Sequence, residues 1–218
     1  MYYNDIIIKF CERKLYLDRP EYINAISALY ISGIGYYNLL YFYNKSKSIT
    51  LVYICIISNG IGSFLFHWYA WYIFKLLDQF TMIIPLWLGI NKILYDLEYS
   101  KMSLSIHTIY NISLLVLTVF EEFDKYFSNA FALEILLIFP LYYQVLRNNN
   151  IVINQQYLLN NKGGQGILLS SVSGLTWAIT EKYCNKYLLF GHAVWHIGMS
   201  TGLCNIINYF YNNSKLIK

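Results

Sequence analysis

Charge is what this sequence has least of. Asp, Glu, Lys and Arg make up 13% of its 218 residues, while 57% are hydrophobic and 19% aromatic. A soluble domain of this size carries about 25% charged residues. Half that fraction leaves too few groups to cover a water-facing surface, so lipid is the solvent this composition fits. The formal net charge of +4 is small and spread along the chain. There is no basic block of the kind that tracks nucleic acid, which argues against a nucleic-acid partner. The N-terminal stretch 1–20 carries Lys9, Glu12, Arg13, Lys14, Asp18 and Arg19. It lacks an apolar run followed by a small-residue cleavage site, so no removable signal peptide is expected and insertion relies on the first membrane helix. No internal repeat and no linker composition interrupts the chain, and 1–218 reads as a single domain.

Long apolar runs are what the sequence does have. Spanning a bilayer takes about 20 mostly apolar residues, because a helix rises about 1.5 Å per residue across about 30 Å of hydrocarbon. Seven stretches qualify: Ile23–Tyr43, Thr50–Ala70, Ile73–Tyr95, Met102–Phe120, Phe127–Leu146, Gly166–Tyr183 and Leu189–Tyr211. An N-terminal segment, 1–22, precedes them and a short tail, 212–218, follows. The runs are continuous and lack the period-two alternation of barrel strands. The expected fold is all-α, an integral membrane bundle of seven transmembrane helices. The sixteen Lys and Arg residues divide evenly between the two faces, so the positive-inside rule sets no orientation. Oligomeric state is left open.

Ionisable groups inside a membrane helix cost roughly 2.5 kcal/mol or more each at the bilayer centre, so each one calls for a reason. They are His67, Asp78, Lys92, His107, Glu134, His192 and His196. Helix parity sorts them by depth. The second span returns to the N-terminal face, and the third and seventh leave from it. His67, Asp78, His192 and His196 therefore share one depth on one side. His192 and His196, four apart, project from one helical face. With His67 they make three neutral nitrogen ligands, the number that catalytic zinc sites use while leaving a fourth position open. Ser63 lies on the face of His67, about 6 Å deeper. Two other readings stay open: interhelical hydrogen bonding by a plain histidine pair, and bis-histidine haem ligation, which needs one histidine on each of two facing helices. A retinal protein is disfavoured because the seventh span contains no lysine. By parity His107 sits at the opposite interface, and Lys92 snorkels toward that same face. Glu134 reads as a paired structural group. Gly163-Gly164-Gln165-Gly166 lacks the Lys-Ser/Thr of a phosphate loop and reads as a flexible lead into the sixth span.

Several of these residues together resemble the alkaline ceramidases. They are Gly60, the run Gly62-Ser63-Phe64-Leu65-Phe66-His67, then Leu76-Leu77-Asp78, then His192-Ala193-Val194-Trp195-His196. That family belongs to a wider set of seven-helix hydrolases that includes Per1-like lipid-remodelling proteins and the adiponectin/progestin receptors. Phe10-Cys11-Glu12 is similar to the family's Trp-Cys-Glu. Glu21-Tyr22-Ile23-Asn24 is similar to the segment that opens its first helix. The resemblance implies zinc on the three histidines, Asp78 handling the proton of the attacking water, and Ser63 supporting the oxyanion. Asp78 would then return that proton to the departing sphingoid amine. The family also holds calcium beside its Cys-Glu motif. Glu12 and Glu21 remain here, but Lys9 and Lys14 fall where that pattern has an Asp and an Asn. Hard cations take oxygen ligands, and ammonium groups repel them. A degraded or absent calcium site is therefore expected. Thr81, Ala178 and Thr180 also depart from the family's residues and bear on substrate preference.

The resemblance further implies a Cys11–Cys184 disulfide, with two free thiols as the alternative. Pairing would put the active-site face in an oxidising compartment, lumenal in an endoplasmic-reticulum or Golgi-type membrane if the source is eukaryotic. The expected activity is zinc-dependent hydrolysis of the amide of ceramide or a related sphingolipid, with a membrane lipid as substrate and the bilayer as partner. The alternatives are a Per1-like ester or phospholipid hydrolase with the same metal site, and a non-catalytic lipid receptor with a structural zinc.

Overall fold

The computed structural model describes residues 10–16, 19–43, 45–148, 151 and 154–213; Lys9, Asp18 and residues 214–218 of the tail lie outside them. Among the described residues the chain is helical, with no strand. Its helices are α1 (Cys11–Leu15), α2 (Tyr22–Phe42), α3 (Lys47–Tyr69), α4 (Tyr72–Asp96), α5 (Lys101–Leu117), α6 (Asp124–Asn148), α7 (Gln155–Asn160), α8 (Lys162–Lys182) and α9 (Gly191–Asn213). The seven long helices fall on the seven apolar stretches.

Three of them, Lys47–Tyr69, Tyr72–Asp96 and Glu121–Asn148, are long and apolar enough to cross a membrane by length and composition. The others are shorter or more polar: α5 has 17 residues, and α2 is rich in tyrosine. The outward faces are nonetheless apolar. Ile26 and Leu40 on α2, Ile106 and Ile109 on α5, and Val172 and Leu175 on α8 are all exposed. The inward faces carry an unusual polar load, with Asn24, His67, Lys75, Asn111 and Glu134 almost completely buried. Apolar outside and polar within is the distribution that a lipid solvent favours.

Local chemistry sets the helix ends. Ser46, Ser100 and Asn161 cap α3, α5 and α8 by accepting backbone N–H bonds from the first turn. The Asn161 cap starts α8 at Lys162, so the glycine run is not a flexible lead. Gly163, Gly164 and Gly166 are buried within the first turns of the helix. The preceding segment also contains α7, a short helix that the polar composition does not predict. The α3–α4 link is only Ala70 and Trp71, with Ala70 left-handed at φ 56°.

Packing brings α2 against α3 and α9, α3 against α4, and α8 along α9, while α5 and α6 lie against α4. Two polar anchors hold the second group. His107 is buried, not interfacial as parity suggests: its Nδ1 lies 2.8 Å from Asn91 Oδ1 and its Nε2 lies 3.1 Å from Glu134 Oε2. This pairing gives Glu134 the structural role read for it. The second anchor, which sequence reading misses, is Lys75 of α4, whose Nζ donates to both oxygens of Asp124 of α6 at 2.6 and 2.7 Å. Lys92 pairs with Asp96 one turn on.

Removing one partner of a buried ion pair strands the other charge. Lys75→Met should therefore cost about 3–5 kcal/mol, and Lys75→Met/Asp124→Leu should recover most of it. Thermal unfolding in detergent micelles measures both, and equal losses in the single and double variants would contradict the assignment.

Candidate metal centre

The centre is built where α2, α3, α4 and α9 meet. Gly60 and Gly62 set the approach of α3 to its neighbours. A Cβ on Gly60 would lie 2.4 Å from Ser32 N on α2, and one on Gly62 would lie 2.9 Å from the Leu77 side chain and 3.1 Å from Asp78 N on α4. The Gly-x-Gly-Ser spacing thus brings α2 and α4 within backbone contact of α3, which sets Asp78 beside Ser63.

His67, in the last turn of α3, meets His192 and His196 in the first turns of α9. Their candidate ligand atoms all lie within 4.8 Å of one another, and all three side chains are buried. The ring centroids are 4.9 Å apart for His67–His192, 5.3 Å for His67–His196 and 4.6 Å for His192–His196. Each ring has a polar group at Nδ1. Glu21 Oε2 lies 2.5 Å from His67 Nδ1, Ser27 Oγ lies 2.8 Å from His196 Nδ1, and Glu181 Oε1 lies 3.6 Å from His192 Nδ1, just beyond hydrogen-bonding reach. The outer nitrogens are thus engaged or faced by oxygen, which leaves the Nε2 atoms as the inner donors. Metal-ligating imidazoles have this arrangement, with a carboxylate or hydroxyl fixing the tautomer from behind. The donor set fits zinc in number and chemistry, and it does not fit bis-histidine haem ligation, because three imidazoles crowd one point.

Asp78 stands beside this cluster. Asn59 Nδ2 donates to Asp78 Oδ1 at 3.1 Å and to its backbone carbonyl at 3.0 Å. The Ser63 hydroxyl faces the same carboxylate, and His192 is close enough to couple to it electrostatically. Ser63, Asp78, His192 and His196 all line one end of a cavity of about 1050 Å³. Its walls are apolar, with Ile56, Leu86 and Phe131 among them, and it runs to Lys92 and Tyr211 at the other end.

The N-terminal segment closes the centre from outside. Cys11 and Cys184 form a disulfide, with Cα atoms 5.2 Å apart. The Cys11 N–H donates to Glu181 Oε2 at 2.8 Å. Lys14 pairs with the same carboxylate at 3.6 Å. The Phe10 ring packs on His192 and His67 at 4.3 and 5.3 Å between centroids.

Both acidic residues assigned to a calcium motif are engaged with the protein. Glu12 accepts N–H bonds from Ile23 and Asn24 at 3.0 and 3.1 Å, satisfying the open first turn of α2. Glu21 is shared between His67 and Arg13, whose Nε lies 3.2 Å from Oε1. Burial alone would raise the Glu21 carboxyl, but the charge and hydrogen bond of His67, followed by the charge of Arg13, hold it below the ordinary carboxylate value.

The sequence pointed to the three histidines, Asp78 and Ser63, and these residues gather. It did not point to Ser27, Asn59, Arg13 or Glu181. Glu21 was noted only as a calcium residue.

Fold and site together define an all-helical protein, apolar on its outer faces, with three buried histidines at the polar end of an apolar cavity. The chain matches the Ceramidase family over residues 5–214 and belongs to that family. A ceramide-hydrolysing role follows in general terms. The comparison with curated proteins returns no match.

Glu21→Gln removes the charge behind His67 while keeping the volume. Zinc affinity should fall about 10–100-fold, as read by competition with a chelating dye below the unfolding temperature, which loss of the Arg13 pair should itself lower. An unchanged affinity would mean that Glu21 does not serve the centre.

Proposed function

We propose that this chain is a seven-span membrane hydrolase that cleaves the amide bond of ceramide or a related sphingolipid, with zinc held by His67, His192 and His196. The observation that carries this reading is the convergence of three buried imidazoles and a carboxylate at the end of one lipid-sized apolar cavity. A soluble metallohydrolase would open such a site to water. Here the cavity walls suit acyl chains and the polar groups gather at one end.

When bound, zinc supplies Lewis acidity that can bring the pKa of water down to about 7 and polarise the amide carbonyl. Asp78 takes the proton from the attacking water and hands it to the departing sphingoid amine, and Asn59 holds the carboxylate in position for both transfers. Ser63, beside Asp78, is the hydroxyl donor available to the negative charge developing on the carbonyl oxygen, an interaction worth about 3 kcal/mol. Glu21 and Ser27 orient the outer edges of His67 and His196. Phe10 shields the histidines from the aqueous side.

Calcium has no part in this scheme. The Glu12 carboxylate is committed to the start of α2, and the Arg13 guanidinium neutralises Glu21. The Cys11–Cys184 bond supports placing the active-site face in an oxidising compartment, lumenal or extracellular. The seven long helices, outward-apolar beyond the three longest apolar ones, support seven spans.

Purified protein incubated with ceramide should release fatty acid and sphingoid base, and incubation with phospholipid should release nothing. Asp78→Asn should abolish this turnover while keeping one zinc per chain, and His67→Ala should lose both. Phospholipid cleavage in place of ceramide cleavage would point to the ester-hydrolase alternative. A protein that binds zinc and releases neither product would be a receptor or binding protein.

A further inference from the structure

Four residues of the cavity lining carry a buried polar atom with no hydrogen-bond partner among the described residues: Gln79, Ser170, Trp177 and His192. His192 belongs to the centre itself and Ser170 lies about two turns from Trp177 along α8, which leaves Gln79 and Trp177 beside the centre. The carboxamide oxygen of Gln79 and the indole Nε1–H of Trp177 both belong to lining residues, and neither makes a hydrogen bond. Gln79 is only 3% exposed and follows Asp78 directly on α4. Trp177 lies one turn before Glu181 on α8, and its ring packs against Trp195, between the two histidines of α9, at 5.3 Å. A buried donor or acceptor left unmade costs about 1–3 kcal/mol, so an acceptor and a donor on two walls of one cavity call for a ligand that offers the reverse.

Charge narrows the ligand further. Among the described lining residues the cations are Lys45 and Lys92. Asp78 and Lys92 are both on α4, fourteen residues apart, so Lys92 lies about 21 Å from the centre along that helix, and it is paired with Asp96. Lys75, at the right depth, is committed to Asp124. No lining cation is placed to hold a phosphate beside the histidines.

We infer that Gln79 and Trp177 are specificity-determining residues that select a neutral, hydroxylated lipid amide, with the Trp177 N–H donating to a substrate hydroxyl oxygen and the Gln79 carboxamide oxygen accepting a hydroxyl proton. The inference rests on the amidase reading above and adds the feature of the headgroup that is read. It favours hydroxyls flanking the amide over a charged headgroup.

The test compares N-palmitoylsphingosine with an N-alkyl palmitamide of equal chain length that lacks both hydroxyls, in the same mixed micelles. The variants are Trp177→Phe, which keeps an aromatic ring against Trp195, and Gln79→Met, which keeps length and volume. Because a site built to bond a substrate hydroxyl rejects the analogue lacking it, each variant should lose at least about tenfold in kcat/KM on the hydroxylated amide. Turnover of the hydroxyl-free amide, and zinc content, should stay at the wild-type level. Equal losses on both substrates, or no loss on N-palmitoylsphingosine, would overturn the inference while leaving the amidase reading intact. A wild-type protein that cleaves neither amide would remove the amidase reading, and this inference with it.

Discussion

Three imidazoles forced together inside a helix bundle have six ring nitrogens and almost no water to satisfy them. The rest of the site follows from that constraint. Each outer nitrogen faces an oxygen, two from α2 and one from α8: Glu21 at the start of α2, Ser27 one and a half turns further on, and Glu181 at the end of α8, at 3.6 Å. The inner nitrogens have only one another. Neutral imidazoles arranged this way repel through their lone pairs unless a cation shares them, so the polar shell suits the cluster to holding a metal ion.

That shell depends on the short N-terminal segment. The disulfide fixes α1 to the end of α8, and its neighbours Glu12, Arg13 and Phe10 reach in three directions. Glu12 satisfies the first N–H groups of α2, which positions Glu21 and Ser27 on the following turns. His67 first and then Arg13, which pairs with Glu21, keep that carboxylate charged in a place where burial would otherwise neutralise it. Phe10 lies over the histidine rings. The four residues Phe10–Arg13, outside the long helices, therefore couple the electrostatics of α2, the exposed side of the centre and the redox state of two cysteines.

What could be read in the sequence followed from periodicity and cost. A continuous apolar run identifies a helix, and its connectivity fixes the depth of every residue on it, so His67, Asp78, His192 and His196 could be brought to one level without coordinates. Spacing put Ser63 on the face of His67, and the family motif gave it a role. Depth alone fails for partners that depend on rotation about a helix axis. His107 was assigned to an interface by depth, yet its side chain turns inward to Glu134. Lys75 and Asp124 were not singled out at all, although each sits where α4 and α6 face each other. The glycines at 163–166 look like a flexible link by composition, because nothing in the sequence shows that Asn161 caps a helix there and that α9 requires a close neighbour. Ser27 had no signal at all: a serine in a tyrosine-rich helix becomes legible only once α9 is known to lie beside α2.

The cavity poses a different energetic problem from that of a soluble lipid-binding protein. A ligand leaving water gains about 0.8 kcal/mol for each CH₂ it buries. A lipid sliding in from a bilayer gains almost none of this, since its chains move from one apolar medium to another. The long apolar wall can therefore admit a chain but contributes little to choosing among lipids. Choice has to come from the polar end, where every unmatched group is penalised in a medium that offers no water as substitute. In this protein that end holds three clustered histidines, a carboxylate, and the unpaired polar atoms of Gln79 and Trp177, which on the proposed function would serve the carbonyl, the proton and the substrate hydroxyls. Discrimination and catalysis then draw on the same few ångströms of the molecule. Departures from the family pattern at Thr81 and Ala178, both on the cavity wall within two or three residues of Asp78, Gln79 or Trp177, fall where they can retune substrate choice without disturbing the histidines.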